Sequence, residues 1–388
     1  MARFGPLVAT DLRDVTDDVA ALDSSGFWAV AADFDGRTLC ARFGDVRRAP
    51  RPAPPPGATP AEVAAHAGWR GPDPRTWTSS ADQETYEAGV REIRARIATG
   101  EVYQVNLCRV LSAPLPGRPT PTPTPGTGTG ASRYEPSEGA RPYGDIDALG
   151  AVLAAGNPAP YAGVVRLPAH GVEIATASPE LFLRRRGATV ESGPIKGTAR
   201  TAQDFLAKDH AENVMIVDLV RNDLGRVCAT GTVTVPALCA VEPHPGLVHL
   251  VSTVRGELRP GAGWPELFAA AFPPGSVTGA PKSSALRIIA ELETAPRGPY
   301  CGAVGWVDAD RRTAELAVGI RTFWIDRDAP GGPVLRFGAG AGITWGSDPA
   351  GEWAETELKA ERLLAVASEV YPGTREAPAE YTGYVRGI

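Results

Sequence analysis

Beyond residue 145 the chain repeatedly sets two short apolar runs on either side of a turn-sized gap. Residues 172–185 read as one such pair, and 303–307 with 314–323 as another. Neighbouring runs like these close most simply as antiparallel hairpins, because a parallel pair needs a crossover of a dozen or more residues. Helical stretches intervene, but they do not alternate one for one with the strands. The pattern predicts an α+β protein with large, mainly antiparallel sheets rather than repeated βαβ units.

Earlier in the chain, Phe27–Ala32 and Thr38–Phe43 flank Asp35-Gly36 as a hairpin. The stretch 51–60 is proline-rich and reads as loop. Val90, Ile93 and Ile97 share one face of a helix over 83–99, which Gly100 stops, and Val102–Val110 follows as a strand. Residues 114–143 are a run of Pro, Gly and Thr that cannot bury a core, and read as a surface insertion within a domain.

Length and composition narrow the function. The 388 residues, 43% hydrophobic and 22% charged, are enough for a large buried core. A net charge of -6 argues against nucleic-acid binding, which needs a basic stripe. It also means that an anionic substrate requires local cations or a metal to overcome the overall field. Five cysteines without a CxxC pair fit reduced thiols in a cytoplasm better than disulfides or zinc. No signal peptide opens the chain, and no apolar run reaches the roughly 20 residues of a membrane span.

Several residues carry chemical promise. Asp209 and Glu212 lie three apart on one helix face, and Glu352 and Glu355 repeat the spacing behind a helix start at Ser347-Asp348-Pro349. Two such pairs can line a hard-cation site, since magnesium takes one or two direct carboxylates and keeps its waters. Taken singly, solvated faces with pairs such as Glu355 and Lys359 account for them equally well. Gly338–Gly342 ends a strand-like run and lets backbone N–H groups approach an anion. Thr278–Lys282 sets a helix N-terminus beside a lysine. Arg321 falls within a strand over 314–324 and can fork onto a carboxylate.

These pieces occur in one order: VYQVNL (102–107), SPELFL (178–183), PIKGTAR (194–200), ENVMIVDLVRNDLGRV (212–227), VHLVS (248–252), GSVTGAPK (275–282), GPYCGAVGW (298–306), GIRTF (319–323), GAGAGI (338–343) and EWAETELKA (352–360). Together they resemble the chorismate-utilising enzymes, which include anthranilate synthase component I, aminodeoxychorismate synthase component I, isochorismate synthase and salicylate synthase. The resemblance spans about residues 80–365. It implies one domain with two large sheets packed between helices, with residues 1–80 part of the same fold, 81–370 the chorismate-binding region and 371–388 a tail. It implies Mg2+ held by Glu212 and Glu355, with Asp209 and Glu352 reaching it through water. It places chorismate near Tyr300, Arg321, Gly340, Ala341, Gly342 and Lys359, with Gly197 and Thr198 beside the ring and His249 near the C4 oxygen. Glu180 matches the general acid that helps the C4 hydroxyl depart, a role that requires it to be protonated near neutral pH.

Two positions discriminate within the family. Members that use water resemble one another in carrying a lysine where this chain has Gln104, so hydration is disfavoured. Anthranilate synthases resemble PIAGT where this chain reads PIKGT, the pattern of the aminodeoxychorismate synthases. The implied mechanism has Lys196 attack C2 of chorismate, after which ammonia takes C4. The product would be 4-amino-4-deoxychorismate, for para-aminobenzoate and folate biosynthesis; amination at C2 to anthranilate or 2-amino-2-deoxyisochorismate is the alternative. No glutaminase triad is evident, so the resemblance implies that ammonia comes from a separate glutamine amidotransferase subunit. The family's tryptophan-binding motif is not found in the short N-terminal part.

Overall fold

A computed structural model describes residues 1–51, 58, 60–116, 144–244 and 247–368. The insertion beyond residue 116, the C-terminal tail and most of the proline-rich stretch 51–60 lie outside the described residues.

The first part of the chain forms β1 (Ala2–Phe4), β2 (Leu7–Thr16), β3 (Phe27–Ala32), β4 (Thr38–Arg48), α1 (Pro60–Ala67), β5 (Thr78–Ser79), α2 (Gln83–Ala98) and β6 (Gln104–Pro114). The middle forms α3 (Ile146–Gly156), β7 (Tyr161–Leu167), β8 (Val172–Ser178), β9 (Leu181–Arg186), β10 (Thr189–Gly193), β11 (Ile195–Ala199), α4 (Ala207–Gly225), β12 (Thr234–His244) and β13 (Leu247–Glu257). The last part forms α5 (Trp264–Ala271), β14 (Gly279–Ala280), α6 (Lys282–Leu292), β15 (Ala303–Asp308), β16 (Thr313–Val318), β17 (Thr322–Asp326), β18 (Val334–Ile343) and α7 (Pro349–Ser368).

The strand pairings are antiparallel and link up into one ladder. One half runs from β12 and β13 through β10, β9, β16 and β15 to β3 and β4, with β11 also on β13. The other runs from β1 through β7, β8, β17 and β18 to β6, which carries β5 and β14. β2 pairs with both β4 and β1 and so joins the halves. The two expected sheets are thus two halves of a single curled sheet. One apolar core contains Val30, Leu183, Val304 and Leu316 of the first half with Val105, Val165 and Ile174 of the second, so the halves pack face to face. A second core lies outside the second half, where Leu149 and Val152 of α3 and Leu363 and Val366 of α7 cover Phe323 and Phe337.

The hairpin at 27–43 forms, and its second strand runs on to Arg48. The pair 303–318 forms as well. The expected pair within 172–185 does not. β8 joins β7 and β17 in the second half, while β9 joins β10 and β16 in the first. The chain crosses between halves at Pro179-Glu180, and it crosses back between β16 and β17 at Gly319-Ile320-Arg321. The two crossings run side by side, with Val318 N–H donating to Glu180 O at 3.0 Å and Ala177 N–H to Arg321 O at 3.0 Å.

α7 begins at Pro349, and the Asp348 carboxylate caps it by accepting from Gly351 N–H at 2.8 Å. Thr356, Ala360 and Leu363 recur on its buried face. Arg297, 2% exposed, ties β6 to the segment before α6. Its guanidinium pairs with Glu293 at 2.7 Å and donates to Asn106 O at 2.7 Å and Val277 O at 2.9 Å. Removing one partner of a buried pair strands the other charge without water. Arg297→Met is therefore expected to lower unfolding stability by about 3–5 kcal/mol in urea titration, whereas Arg297→Met with Glu293→Met recovers part of that loss.

Candidate active site

The first crossing places Glu180 inside the protein, 4% exposed. Burial pushes its carboxyl up to about 7, opposed by hydrogen bonds from the Ser276 hydroxyl and Ile195 N–H and by the charge of Lys196. A carboxyl in this state can donate a proton near neutral pH.

Lys196 lies on β11 at a β-bulge, since the register against β13 shifts between Ile195 and Thr198. A bulge re-aims the side chain it carries. Gly197 sits beside it at φ +89°, where a Cβ would come within 3.3 Å of Asp209, Leu250 and Phe205. Only glycine brings β11 this close to α4. Thr198 pairs with His249 in the ladder, which puts the buried His249, 1% exposed, one strand from the lysine. Lys196 keeps some surface as a residue, but its ammonium is ringed by protein. The lost hydration lowers its pKa; Lys359 adds to that effect, while Glu212, Glu180 and Glu355 oppose it.

The two acidic helix faces do meet across Lys196. Glu212 of α4 is pushed up chiefly by burial, and feels Asp209 and Glu355 as like charges. Burial also raises Glu352, which takes a hydrogen bond from Ser347 and feels Glu355. For Glu355, burial works upward, but Lys359, Lys196 and Lys208 outweigh it and hold the carboxyl below its usual range. Lys359 Nζ lies 2.6 Å from Glu355 and donates to Gly340 O at 3.0 Å. Asp209 accepts from Leu206 N–H at 2.8 Å, at the start of α4. Among the described residues no three His, Cys, Asp or Glu side chains close around one point. A pair of carboxylates from two helices nevertheless fits magnesium, whose remaining positions are filled by water.

The glycine run is placed differently from expectation. Gly338–Gly342 lie inside β18, paired with β6 from Val110 to Asn106, and do not form a turn. They are small because side chains press against the strand: a Cβ at Gly338 would enter the Tyr300 ring, and one at Gly342 would meet Gln104 and lie 3.2 Å from Lys196 Nζ. β17 pairs only as far as Phe337, so that edge of β18 has no strand neighbour over Gly338–Gly342, Ala341 included, among the described residues. Gln104, 1% exposed, has a buried Oε1 without a hydrogen-bond partner. Tyr300 is buried under β18, which pushes its hydroxyl far above the usual range.

Arg321 is not in a strand. It turns the second crossing with φ +50°, which breaks the expected strand 314–324 in two. Burial and the nearby Arg362 both lower its pKa, and among the described residues its guanidinium has no carboxylate partner. Lys282 also differs: it is occupied by Asp223 at 2.8 Å and Ala271 O at 3.1 Å. Four contributors were not singled out from sequence. Ser276 lay inside a quoted motif without a role, Lys208 precedes Asp209, Ser347 was read only as part of a helix start, and Arg362 is one helical turn beyond Lys359, where i,i+3 spacing could have found it.

Known proteins match this arrangement. The chain matches the chorismate binding enzyme family over residues 57–123 and 144–365. It is 38% identical over 336 residues to anthranilate synthase component 1 of Streptomyces coelicolor, covering 82% of this chain and 57% of that protein. It is also 38% identical over 310 residues to the aminodeoxychorismate synthase of Streptomyces pristinaespiralis, covering 76% of this chain and 38% of that one. The chain thus spans about half the length, or less, of these relatives. Anthranilate synthase component I from Streptococcus pneumoniae has the same fold, with TM-score 0.70 at 21% identity over 93% of this chain and 92% of the other. The chain belongs to the chorismate binding enzymes, whose substrate carries two carboxylates. No helix among the described residues is long and apolar enough to cross a membrane.

An unpaired, partly desolvated cation costs stability unless an anion fills its place. Arg321→Met is expected to raise the melting temperature by about 1–3 °C while weakening chorismate binding about tenfold or more in titration calorimetry. A fall in both, or in neither, would remove Arg321 from the anion site.

Proposed function

We propose that this chain aminates chorismate at C4, acting as the synthase component of an aminodeoxychorismate synthase. The observation that carries the reading is Lys196, a partly desolvated amine aimed by a bulge between Glu180, Glu212 and Glu355. Lys196 in its neutral form attacks C2 of chorismate. The ring electrons shift, the C4–O bond breaks, and Glu180 gives its proton to the departing oxygen, which leaves as water. Ammonia then attacks C4, the electrons shift back, and the C2–Nζ bond breaks to free Lys196. Ammonia enters and water leaves, the proton given up by Glu180 is matched by the extra proton on the new C4 ammonium group, and the enolpyruvyl group stays in place.

Arg321 and Lys359 bind the substrate carboxylates, with the open β18 edge over Gly340–Gly342 beside them. His249 stands near the C4 oxygen, and Gly197 and Thr198 flank the ring. Gln104, with its unpartnered oxygen, accepts a hydrogen bond from the incoming ammonia and cannot take a proton from water as a lysine would. Glu212 and Glu355 would hold Mg2+, with Asp209 and Glu352 reaching it through water. The metal, when bound, neutralises substrate negative charge and eases departure of the C4 oxygen. A partner glutaminase supplies ammonia, and the product serves para-aminobenzoate and folate synthesis.

Mass spectrometry of the product from chorismate, Mg2+ and an ammonium salt tests the reaction. 4-Amino-4-deoxychorismate is expected; anthranilate or 2-amino-2-deoxyisochorismate would overturn the C4 assignment. Without ammonia, intact-protein mass should rise by chorismate less one water. Lys196→Ala should abolish that adduct and lower C4 product by about 10^3-fold or more.

The acid role fixes a pH dependence. Glu180 works only when protonated, and its carboxyl is held up to about 7. The value of kcat/KM should therefore fall as pH rises through that value. A profile that keeps rising to pH 9 would exclude Glu180 as the acid.

A further inference from the structure

Beside Glu180 lies a small cavity of about 20 Å3 that Lys196 does not line. It is far too small for a substrate, but a single water needs only about 10–15 Å3 measured this way. Most of its lining is apolar, but four polar side chains border it: Glu180, Ser192, Asp223 and Ser276. Ser276 already donates to the Glu180 carboxyl. Asp223, 5% exposed, reaches the same space beside Gly275.

Asp223 has a second outlook. It also borders a larger cleft of about 360 Å3, lined by Asp218, Asn222 and Lys282 among others. Asp218 and Asn222 are exposed, so this cleft meets solvent further along α4 than Asp209 and Glu212. Asp223 is the residue that lines both spaces, and Lys282 fixes it there by an ion pair of 2.8 Å.

Resting on the proposed role of Glu180, we infer that Asp223, the water-sized cavity and Ser276 form a rear proton relay that reprotonates Glu180 from solvent after each turnover. The departing C4 hydroxyl takes the Glu180 proton and leaves as water, and the new C4 amine departs as an ammonium group, so Glu180 ends each cycle as a carboxylate. It is buried even in the empty site, and substrate on its front side closes that route further. A proton from bulk water passes to Asp223, then to the cavity water, then to the Ser276 hydroxyl, and so to Glu180. Each relay oxygen receives one proton and gives up one, and the single proton delivered replaces the one carried off. Asp223 touches no substrate and acts only through Glu180, with Lys282 holding it in position. Burial also raises the Asp223 carboxyl above its ordinary value, against the pull of Lys282, which favours transient protonation.

The test separates the first turnover from later ones. The full-length chain, with chorismate, Mg2+ and ammonium, is followed by rapid quench in wild type, Asp223→Asn and Ser192→Val. Ser192→Val fills the cavity with methyl groups and leaves the Asp223–Lys282 pair intact, so it decides the matter if Asp223→Asn fails to fold. The relay predicts a first turnover at the wild-type rate, because Glu180 starts protonated. It then predicts a steady state slower by about tenfold or more, with kcat/KM for chorismate unchanged, because KM falls with kcat when a step after the chemistry limits, and a larger slowing in D2O. A small weak acid such as acetic acid, added to Asp223→Asn, should restore later turnovers. The relay is overturned if first and later turnovers fall together, as a structural defect would make them, or if neither falls. Glu180→Gln distinguishes the underlying reading: a first turnover at full rate there would refute Glu180 as the acid, whatever the relay variants do.

Discussion

Two neighbouring backbone crossings organise this molecule. A sheet of this size cannot stay flat, and it bends into two halves that bury their inner faces against each other. The chain passes between the halves beside itself, at Pro179-Glu180 and at Gly319-Ile320-Arg321, and backbone hydrogen bonds fasten the two passages together. Glu180 and Arg321 therefore emerge where two strands change partners. A side chain at such a point is held by strands on both sides. Both side chains are also partly or fully buried, as the proposed acid and the proposed anion-binding cation would need to be.

The elements that follow deliver the rest. β11 lies against α4 because Gly197 has no side chain, and the bulge there turns Lys196 inward. α7 is capped by Asp348 and laid on β18, so Glu355 and Lys359 come to the same space as Glu212 of α4. β18 can approach because glycine occupies the positions over Tyr300, Gln104 and Lys196. Lys196, Lys208 and Lys359 face the acids Glu212, Glu352 and Glu355. Arg321 stands apart from that cluster, beside Arg362 and with no carboxylate partner among the described residues.

The sequence was legible where chemistry is local. Helix α4 followed from its apolar spacing, α7 from Ser347-Asp348-Pro349, and the 27–43 hairpin from its turn. It was illegible where partner choice is global. A strand alternates in the same way whether it pairs with its neighbour or with a distant segment, so 172–185 looked like a hairpin and 314–324 like one strand. The glycine run misled for a related reason. Small residues serve equally for a turn, an anion cradle or a strand pressed by large side chains, and only the neighbours Tyr300 and Gln104 distinguish these. Ser276 and Asp223 were silent because their meaning depends on a cavity that has no signature in the chain.

The proposed chemistry asks for an unprotonated amine and a protonated acid at the same pH, and the reverse pairing is what water would favour. In water a carboxylate and an ammonium are each well solvated, so the ion pair dominates. In this interior each charge loses that solvation. The attraction between Lys196 and Glu180 acts to keep both ionised, but for each group burial is the larger effect. Moving one proton from the amine to the carboxyl keeps the net charge and exchanges two desolvated ions for two neutral groups. Desolvation of the pair therefore pushes both groups toward the neutral forms that the proposed nucleophile and acid need, through one shared proton. The neighbouring acids Glu212 and Glu355 limit the effect by pulling the lysine toward its charged form. A cation bound between those two carboxylates would cancel that pull, so the metal proposed for the substrate would also complete the activation of the lysine.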